Sequence, residues 1–223
     1  MKYSKTLLEH NLLTFDLIEW EEKISAHVAQ IEAVDAGHDI NHIKRVVKAA
    51  KQFAEAEQAD MAVVMPAAWL HDCVQVAKDS PLRNQASRMA ADEAKKLLAD
   101  WGYPEQHHQA IAHAVAAHSF SANIPCETLE AKVVQDADRM DALGAIGIAR
   151  TMLVGQSFGN PLLAADDPFC ENRTPNDQTS IIDHFYTKLL GLKDSFQTVA
   201  AKAEAQERHD FMVTFLKQLA HEV

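Results

Sequence analysis

The sequence predicts an all-helical protein. Three observations lead there: apolar residues recur at helical spacing along most of the chain, no convincing strand-like alternation is found, and most of the few Gly and Pro residues fall between the periodic segments.

Taken in order, a first helix runs over about residues 42–57, with Ile43, Val46, Val47, Ala50 and Phe53 on one face and Asp39 or Asn41 as its N-cap. Residues 61–76 are apolar nearly all round, which predicts a buried central helix. A helix over 87–101 ends at Gly102 in the manner of a C-cap, and Pro104 introduces another over 105–118. The pattern continues over 128–138 and 143–154. Residues 156–178 lack any period and are rich in Asn, Asp and Pro, so they read as a surface loop and a candidate lid that governs substrate choice. Beyond it, Ile181, Ile182, Phe185, Leu189 and Leu190 mark one amphipathic helix, and Phe196, Val199, Ala203, Phe211, Phe215, Leu216 and Leu219 mark one or two more. The expectation is a single domain over 1–223, with a helical core over about 20–155, the loop, and C-terminal helices over about 179–221.

Bulk composition narrows the functions. With 48% hydrophobic and 24% charged residues there is material for a packed interior. A formal charge of -11 argues against a nucleic-acid polymer as partner, because such proteins neutralise phosphates with clustered Lys and Arg. A small phosphate ester is still compatible, since a metal ion and a few local cations can overcome a distant negative surface. Residues 1–9 lack the apolar stretch of a secretory signal, and the longest apolar run, 61–70, is too short to span a bilayer, so a cytoplasmic protein without membrane contact is expected. Cys73, Cys126 and Cys170 are odd in number and widely spaced, which fits reduced thiols.

The chemistry is concentrated around His71 and Asp72, which lie in the most apolar segment of the chain. An unpartnered carboxylate there would cost about 3–5 kcal/mol. A divalent cation is the simplest compensation, because it binds neutral imidazole and carboxylate together. A catalytic site needs further ligands, and His42 and the carboxylates of Asp136, Asp138 and Asp141 on other helices are the candidates. The residue pattern alone does not separate Asp136 from Asp138.

A His, a His-Asp pair and a distal Asp resemble the HD-domain hydrolases, closest to the small bacterial HD subgroup of nucleotide phosphohydrolases. The resemblance covers nearly the whole chain. It includes GHDxxHxxRV from Gly37, RNQAS at 83–87, HSFS at 118–121, VVQDADRMDALGAIGIAR at 133–150 and DHFYTKL at 183–189. It implies His42, His71, Asp72 and Asp138 as catalytic metal ligands, and one divalent transition metal, with Mn expected and Fe, Co, Ni or Zn compatible with the ligand types. His38, His113 and His118 leave a second ion open. The implied activity is hydrolysis of a nucleotide or related small phosphate ester by metal-activated water. Arg45, Arg83 and Arg139 are candidates to fork onto phosphate oxygens, with His118 as a further phosphate contact. Gln75 stands where some HD nucleotidases carry Glu, which leaves the general base unassigned.

Ordinary structural roles compete at several positions. Asp136 and Asp141 read as helix-surface charges or partners of Arg139 and Arg45, and His38 and Asp39 as a helix cap or as groups holding an imidazole tautomer. His10, His27, His184, His209 and His221 lack companions at ligand spacing. Two other classes carry the fold: a di-iron oxygenase, which needs more His ligands, and a non-catalytic binding module, which tolerates their loss. The Phe-rich C-terminal helices read most simply as internal packing, with a dimer contact as the lesser alternative, so the expectation is a monomer or a homodimer.

Overall fold

The computed structural model describes residues 15–31, 39–76, 80–119 and 122–223. Gly37, His38 and His10, and residues 120–121 of the HSFS segment, lie outside the described residues. The described chain is helical without strands: α1 (Leu17–Val28), α2 (Ile40–Glu57), α3 (Met61–Leu70), α4 (Ala86–Trp101), α5 (Glu105–Ala117), α6 (Leu129–Met140), α7 (Gly144–Ser157), α8 (Asp183–Thr187) and α9 (Val199–His221). None of these helices is long and apolar enough to cross a membrane.

Helix α3 is the axis of the bundle. Every residue from Ala62 to Leu70 is buried, and α1, α2, α4, α5 and α6 pack around it. Pro66 sits inside this helix and has no N–H to offer the carbonyl of Ala62, four residues back. The Tyr103 hydroxyl, buried at the start of the turn into α5, donates to that carbonyl at 2.6 Å. Tyr103→Phe strands a buried acceptor and is expected to lower stability by about 1–3 kcal/mol in chemical denaturation.

The neighbours follow local rules. Asp39 caps α2, accepting from the backbone N–H of His42 at 2.8 Å, and the buried face of α2 is the expected one. Gly102 ends α4 at φ +78°, a conformation that suits a residue without Cβ, and the short turn returns α5 antiparallel against α4. Thr128 caps α6 through the N–H of Ala131. Helix α1 was not anticipated as a separate element.

Two expected helices are corrected. The central helix stops at Leu70 rather than Val76: His71 Nδ1 donates to the Ala68 carbonyl at 2.7 Å, the acceptor that residue 72 would need to continue the helix. The His-Asp pair therefore occupies the turn after α3. Residues 181–190 form only the short α8 and then a 3-10 stretch, Leu189–Ser195, because the chain breaks at Lys188 (φ -138°, ψ -58°). Their apolar side chains still face inward, with Ile181, Ile182, Phe185 and Leu189 buried. On α9 the buried positions are Ala201, Ala205, Met212 and Leu216, while Val199 and Phe211 are exposed.

The expected loop is irregular, and it is fastened to the core. Asp183 is buried and receives both Nη atoms of Arg173 (2.5 and 2.6 Å), the N–H of Asn176 (2.7 Å) and the Ser180 hydroxyl (2.6 Å). Asp167 gathers the N–H groups of Glu171 and Asn172 in the same loop. The Arg173 guanidinium holds the Asp183 carboxyl well below the usual carboxylate range, against the upward push of burial. A depressed carboxyl stabilises the fold fully above its unfolded pKa of about 3.9, and the contribution is lost as pH falls through the lower folded value. Asp183→Ala is accordingly expected to cost about 3 kcal/mol at pH 7, and the gap from wild type to narrow below pH 3, measured by urea unfolding at both values.

Candidate metal centre

The N-terminal turn of α2 meets the C-terminal ends of α3, α5 and α6 at one end of the bundle. Three carbonyl-rich helix ends face a common point, a field that favours a cation. His42 comes from the first turn of α2, while His71 and His118 occupy the C-cap positions of α3 and α5. Asp138 comes from the last turn of α6.

Each imidazole is oriented through Nδ1. His71 Nδ1 lies 2.7 Å from the Ala68 carbonyl, His118 Nδ1 2.6 Å from the Val115 carbonyl, and His42 Nδ1 2.8 Å from Asp141 Oδ2. Carbonyls and carboxylates only accept, which assigns the hydrogen to Nδ1 in all three rings and leaves Nε2 as a lone pair when the ring is neutral. Those Nε2 atoms converge on two carboxylates. His42 Nε2 is 3.4 Å and His71 Nε2 3.8 Å from Asp138 Oδ1; His71 Nε2 is 3.6 Å from Asp72 Oδ2, and His118 Nε2 is 3.7 Å from Asp72 Oδ1. His71 Nε2 is buried and makes no hydrogen bond among the described residues.

Lone pairs facing carboxylates repel unless a cation lies between them. Ligand atoms about 2.0–2.2 Å from one ion sit about 3–3.8 Å apart at ordinary coordination angles, which is the spacing found here. Candidate ligand atoms of His42, His71 and Asp72 all lie within 4.8 Å of one another. Imidazole with carboxylate suits a transition ion better than Ca. The donor set fits a divalent metal.

The same field acts on protons. Burial opposes a charge on His42, but hydrogen bonds to Asp138 and Asp141 outweigh it and push its pKa up to about 9. His71, 5.5 Å away between ring centres, goes down instead, because it is completely enclosed and its Nδ1 partner is a neutral carbonyl. Burial would raise the Asp138 and Asp141 carboxyls, yet the imidazoles around the first and His42 with Arg45 around the second hold both far below the usual range.

Of the two sequence readings of Asp141, a helix-surface charge or a partner of Arg45, the structure shows the second. Asp141 is buried: besides His42 it accepts from Arg45 (Nε 2.6 Å, Nη2 2.9 Å) and Arg150 (Nη1 2.6 Å). Its spacing of i, i+3 from Asp138 carried the signal, since it matches His42 and Arg45 on α2. Asp136 turns away to hold the N–H groups of Gln197 and Thr198 at the head of α9. Arg45 is committed to Asp141 through two nitrogens. Arg139, next to Asp138 in sequence, points elsewhere and donates to the Ser195 carbonyl at 2.8 Å. His113 Nε2 accepts from the N–H of Glu127.

Arg83 donates to the Val76 carbonyl at 3.0 Å and also lines a cleft of about 410 Å³ that runs along α7. Arg150, His184 and Lys188 line the same cleft, and its apolar wall includes Val154, Phe158 and Ile181. The sequence assigns none of these three basic residues a substrate role, although the segments ending in GIAR and DHFYTKL contain them.

Comparison with known proteins agrees with this geometry. The family pattern described as HD domain matches residues 39–143, which takes in the whole quartet. The Bacillus subtilis protein YpgQ is 34% identical over 193 residues, 84% of this chain and 85% of its own. Its crystal structure in complex with ADP superposes with a TM-score of 0.73 at 32% identity, covering 92% of this chain and 96% of the other. An HD-superfamily hydrolase from Bacillus thuringiensis gives a TM-score of 0.72 at 34% identity, covering 92% and 97%. With near full-length relatives at this identity and the family pattern spanning His42 to Asp138, the chain belongs to the HD-domain hydrolase family.

Proposed function

We propose that this protein is a metal-dependent phosphohydrolase acting on a nucleotide or a closely related phosphate ester. The observation that carries the reading is the convergence of three Nδ1-anchored imidazoles on the carboxylates of Asp72 and Asp138. His42, His71, Asp72 and Asp138 would hold the ion, with Mn the expected metal. When bound, a divalent ion supplies a water of lowered pKa and Lewis-acid stabilisation of phosphoryl oxygens.

The chain's own groups set up the rest. Asp141 fixes the tautomer of His42 and thereby keeps Nε2 a ligand; the Ala68 carbonyl does the same for His71. His118, with Nδ1–H on the Val115 carbonyl, turns Nε2 to within 3.7 Å of Asp72 Oδ1, beside the substrate phosphate it would contact; with Nε2 unprotonated it would also accept the proton that an attacking water gives up. The cleft lined by Arg83 leaves room for the organic part of the substrate. A nucleotide is favoured because the Bacillus subtilis relative was crystallised with ADP.

The test is a panel of nucleoside mono-, di- and triphosphates offered to protein stripped of metal and then given Mn2+, with phosphate and pyrophosphate both measured. Metal-dependent release from at least one class supports the reading, and the product names the bond cut. Silence across the panel with metal restored removes nucleotide hydrolysis.

A further inference from the structure

We propose that His184, oriented by the carboxylate of Asp177, recognises the sugar of the substrate by accepting a hydrogen bond from a pentose hydroxyl at Nε2. This deepens the nucleotide reading and rests on it.

The fold builds the pair from residues that sequence spacing did not connect. His184 Nδ1 lies 2.9 Å from Oδ2 of Asp177, in the irregular segment before α8. A carboxylate only accepts, so the hydrogen is assigned to Nδ1 and the neutral ring presents Nε2 as a lone pair. Among the described residues His184 makes no hydrogen bond through Nε2. Asp177 is itself fixed: its other carboxylate oxygen accepts from the Thr187 hydroxyl, and its carbonyl accepts from Asn160 Nδ2 at 2.9 Å. With 32% of the His184 side-chain surface exposed, such a pair contributes little to stability. Folding alone therefore gives a weak account of a ring held this firmly with one nitrogen turned outward.

Position gives that nitrogen a ligand. His184 and Asp177 line the cleft along α7 together with Arg83 and Lys188. The cleft adjoins the metal centre, because Arg150 on its wall bonds at 2.6 Å to Asp141, the carboxylate that also orients His42. Lys188 follows His184 by one helical turn, its N–H on the His184 carbonyl at 3.1 Å. Side chains at that spacing leave the backbone about 5–6 Å apart. An ammonium suits a phosphate oxygen, whereas an imidazole lone pair has nothing to offer one and needs a donor. The part of a nucleotide that lies one such step from its phosphate and carries O–H donors is the sugar. A phosphate beside Lys188 thus brings a pentose hydroxyl to His184, and Val154 and Ile181 give the base an apolar wall.

The experiment measures binding by calorimetry to Mn2+-loaded wild type, His184→Ala, His184→Gln and Asp177→Ala, each checked for folding by circular dichroism. The probes are ADP, its two monodeoxy forms that each lack one ribose hydroxyl, and inosine diphosphate. Wild type is expected to bind ADP about 3- to 10-fold more tightly than the form lacking the contacted hydroxyl, the scale of a single hydrogen bond. In His184→Ala that preference disappears and ADP weakens by the same factor. His184→Gln, which keeps an acceptor near the place of Nε2, recovers part of it, and Asp177→Ala, which leaves the ring without its orienting carboxylate, reduces the preference without abolishing it. A folded His184→Ala protein with the wild-type preference overturns the assignment, as does a wild type that binds ADP and both monodeoxy forms alike. A preference for ADP over inosine diphosphate that vanishes instead in His184→Ala puts the contact on the base and also overturns it. A wild type that binds no ADP removes the nucleotide reading and the assignment with it, whereas the expected pattern in a protein that turns over no nucleotide upholds the sugar contact and removes hydrolysis alone.

Discussion

His71→Ala is expected to abolish metal-dependent turnover, by about 10³-fold or more. A bound ion supplies several kcal/mol of transition-state stabilisation, and each tenfold in rate corresponds to about 1.36 kcal/mol. His71 lies at the middle of the cluster, its ring 5.5 Å from that of His42 and 5.0 Å from that of His118, and its Nε2 faces both Asp72 and Asp138. Because His71 is fully buried, its removal also leaves a small void. Asp138→Asn keeps the shape while discarding the charge, so it separates metal loss from packing. Both variants should fail to turn over any substrate that wild type accepts, with helical content retained. Wild-type turnover in either one contradicts the assigned ligand set.

The second large effect belongs to a residue that binds neither metal nor substrate. Asp141→Asn removes the carboxylate on which His42, Arg45 and Arg150 converge, and it offers His42 Nδ1 an amide able to present either an acceptor or a donor. The tautomer that keeps His42 Nε2 a ligand is no longer enforced. Groups of this kind typically change metal affinity 10- to 100-fold. Two guanidiniums also lose their shared anion in a partly buried setting, which is expected to cost about 3 kcal/mol of stability. Metal titration by calorimetry and chemical denaturation measure the two parts separately, and Asp141→Glu should restore little because its longer stem displaces a carboxylate held by three partners.

The fold was legible from periodicity because most of it is amphipathic helix packed on an apolar centre. The buried faces of α2 and α3 follow directly from the spacing of Val46, Ala50 and Phe53 and from the unbroken run of 61–70. What spacing could not show is where a side chain competes with the backbone. His71 ends α3 by taking the Ala68 carbonyl, an event with no signature in hydrophobic pattern. The segment 181–190 shows the converse: its inward residues were read correctly, yet the same spacing is served by a short helix and a 3-10 stretch.

At the centre, residue type and family resemblance brought forward His42, His71, Asp72 and Asp138, and the described structure places them together. The arginines were harder to read. Neighbours in sequence point about 100° apart on a helix, so adjacency to a ligand was a poor guide: Arg139 follows Asp138 and faces Ser195, whereas Arg150 lies nine residues beyond Asp141 and touches it. Helical spacing of three, shared by His42 with Arg45 and by Asp138 with Asp141, was the better signal.

The most direct test of the centre is anomalous diffraction from crystals grown with Mn2+, collected at a wavelength where manganese scatters strongly. A strong peak is expected within coordination distance of His42 Nε2, His71 Nε2 and the carboxylates of Asp72 and Asp138. No peak there, or manganese held by residues outside this group, would contradict the assigned ligand set.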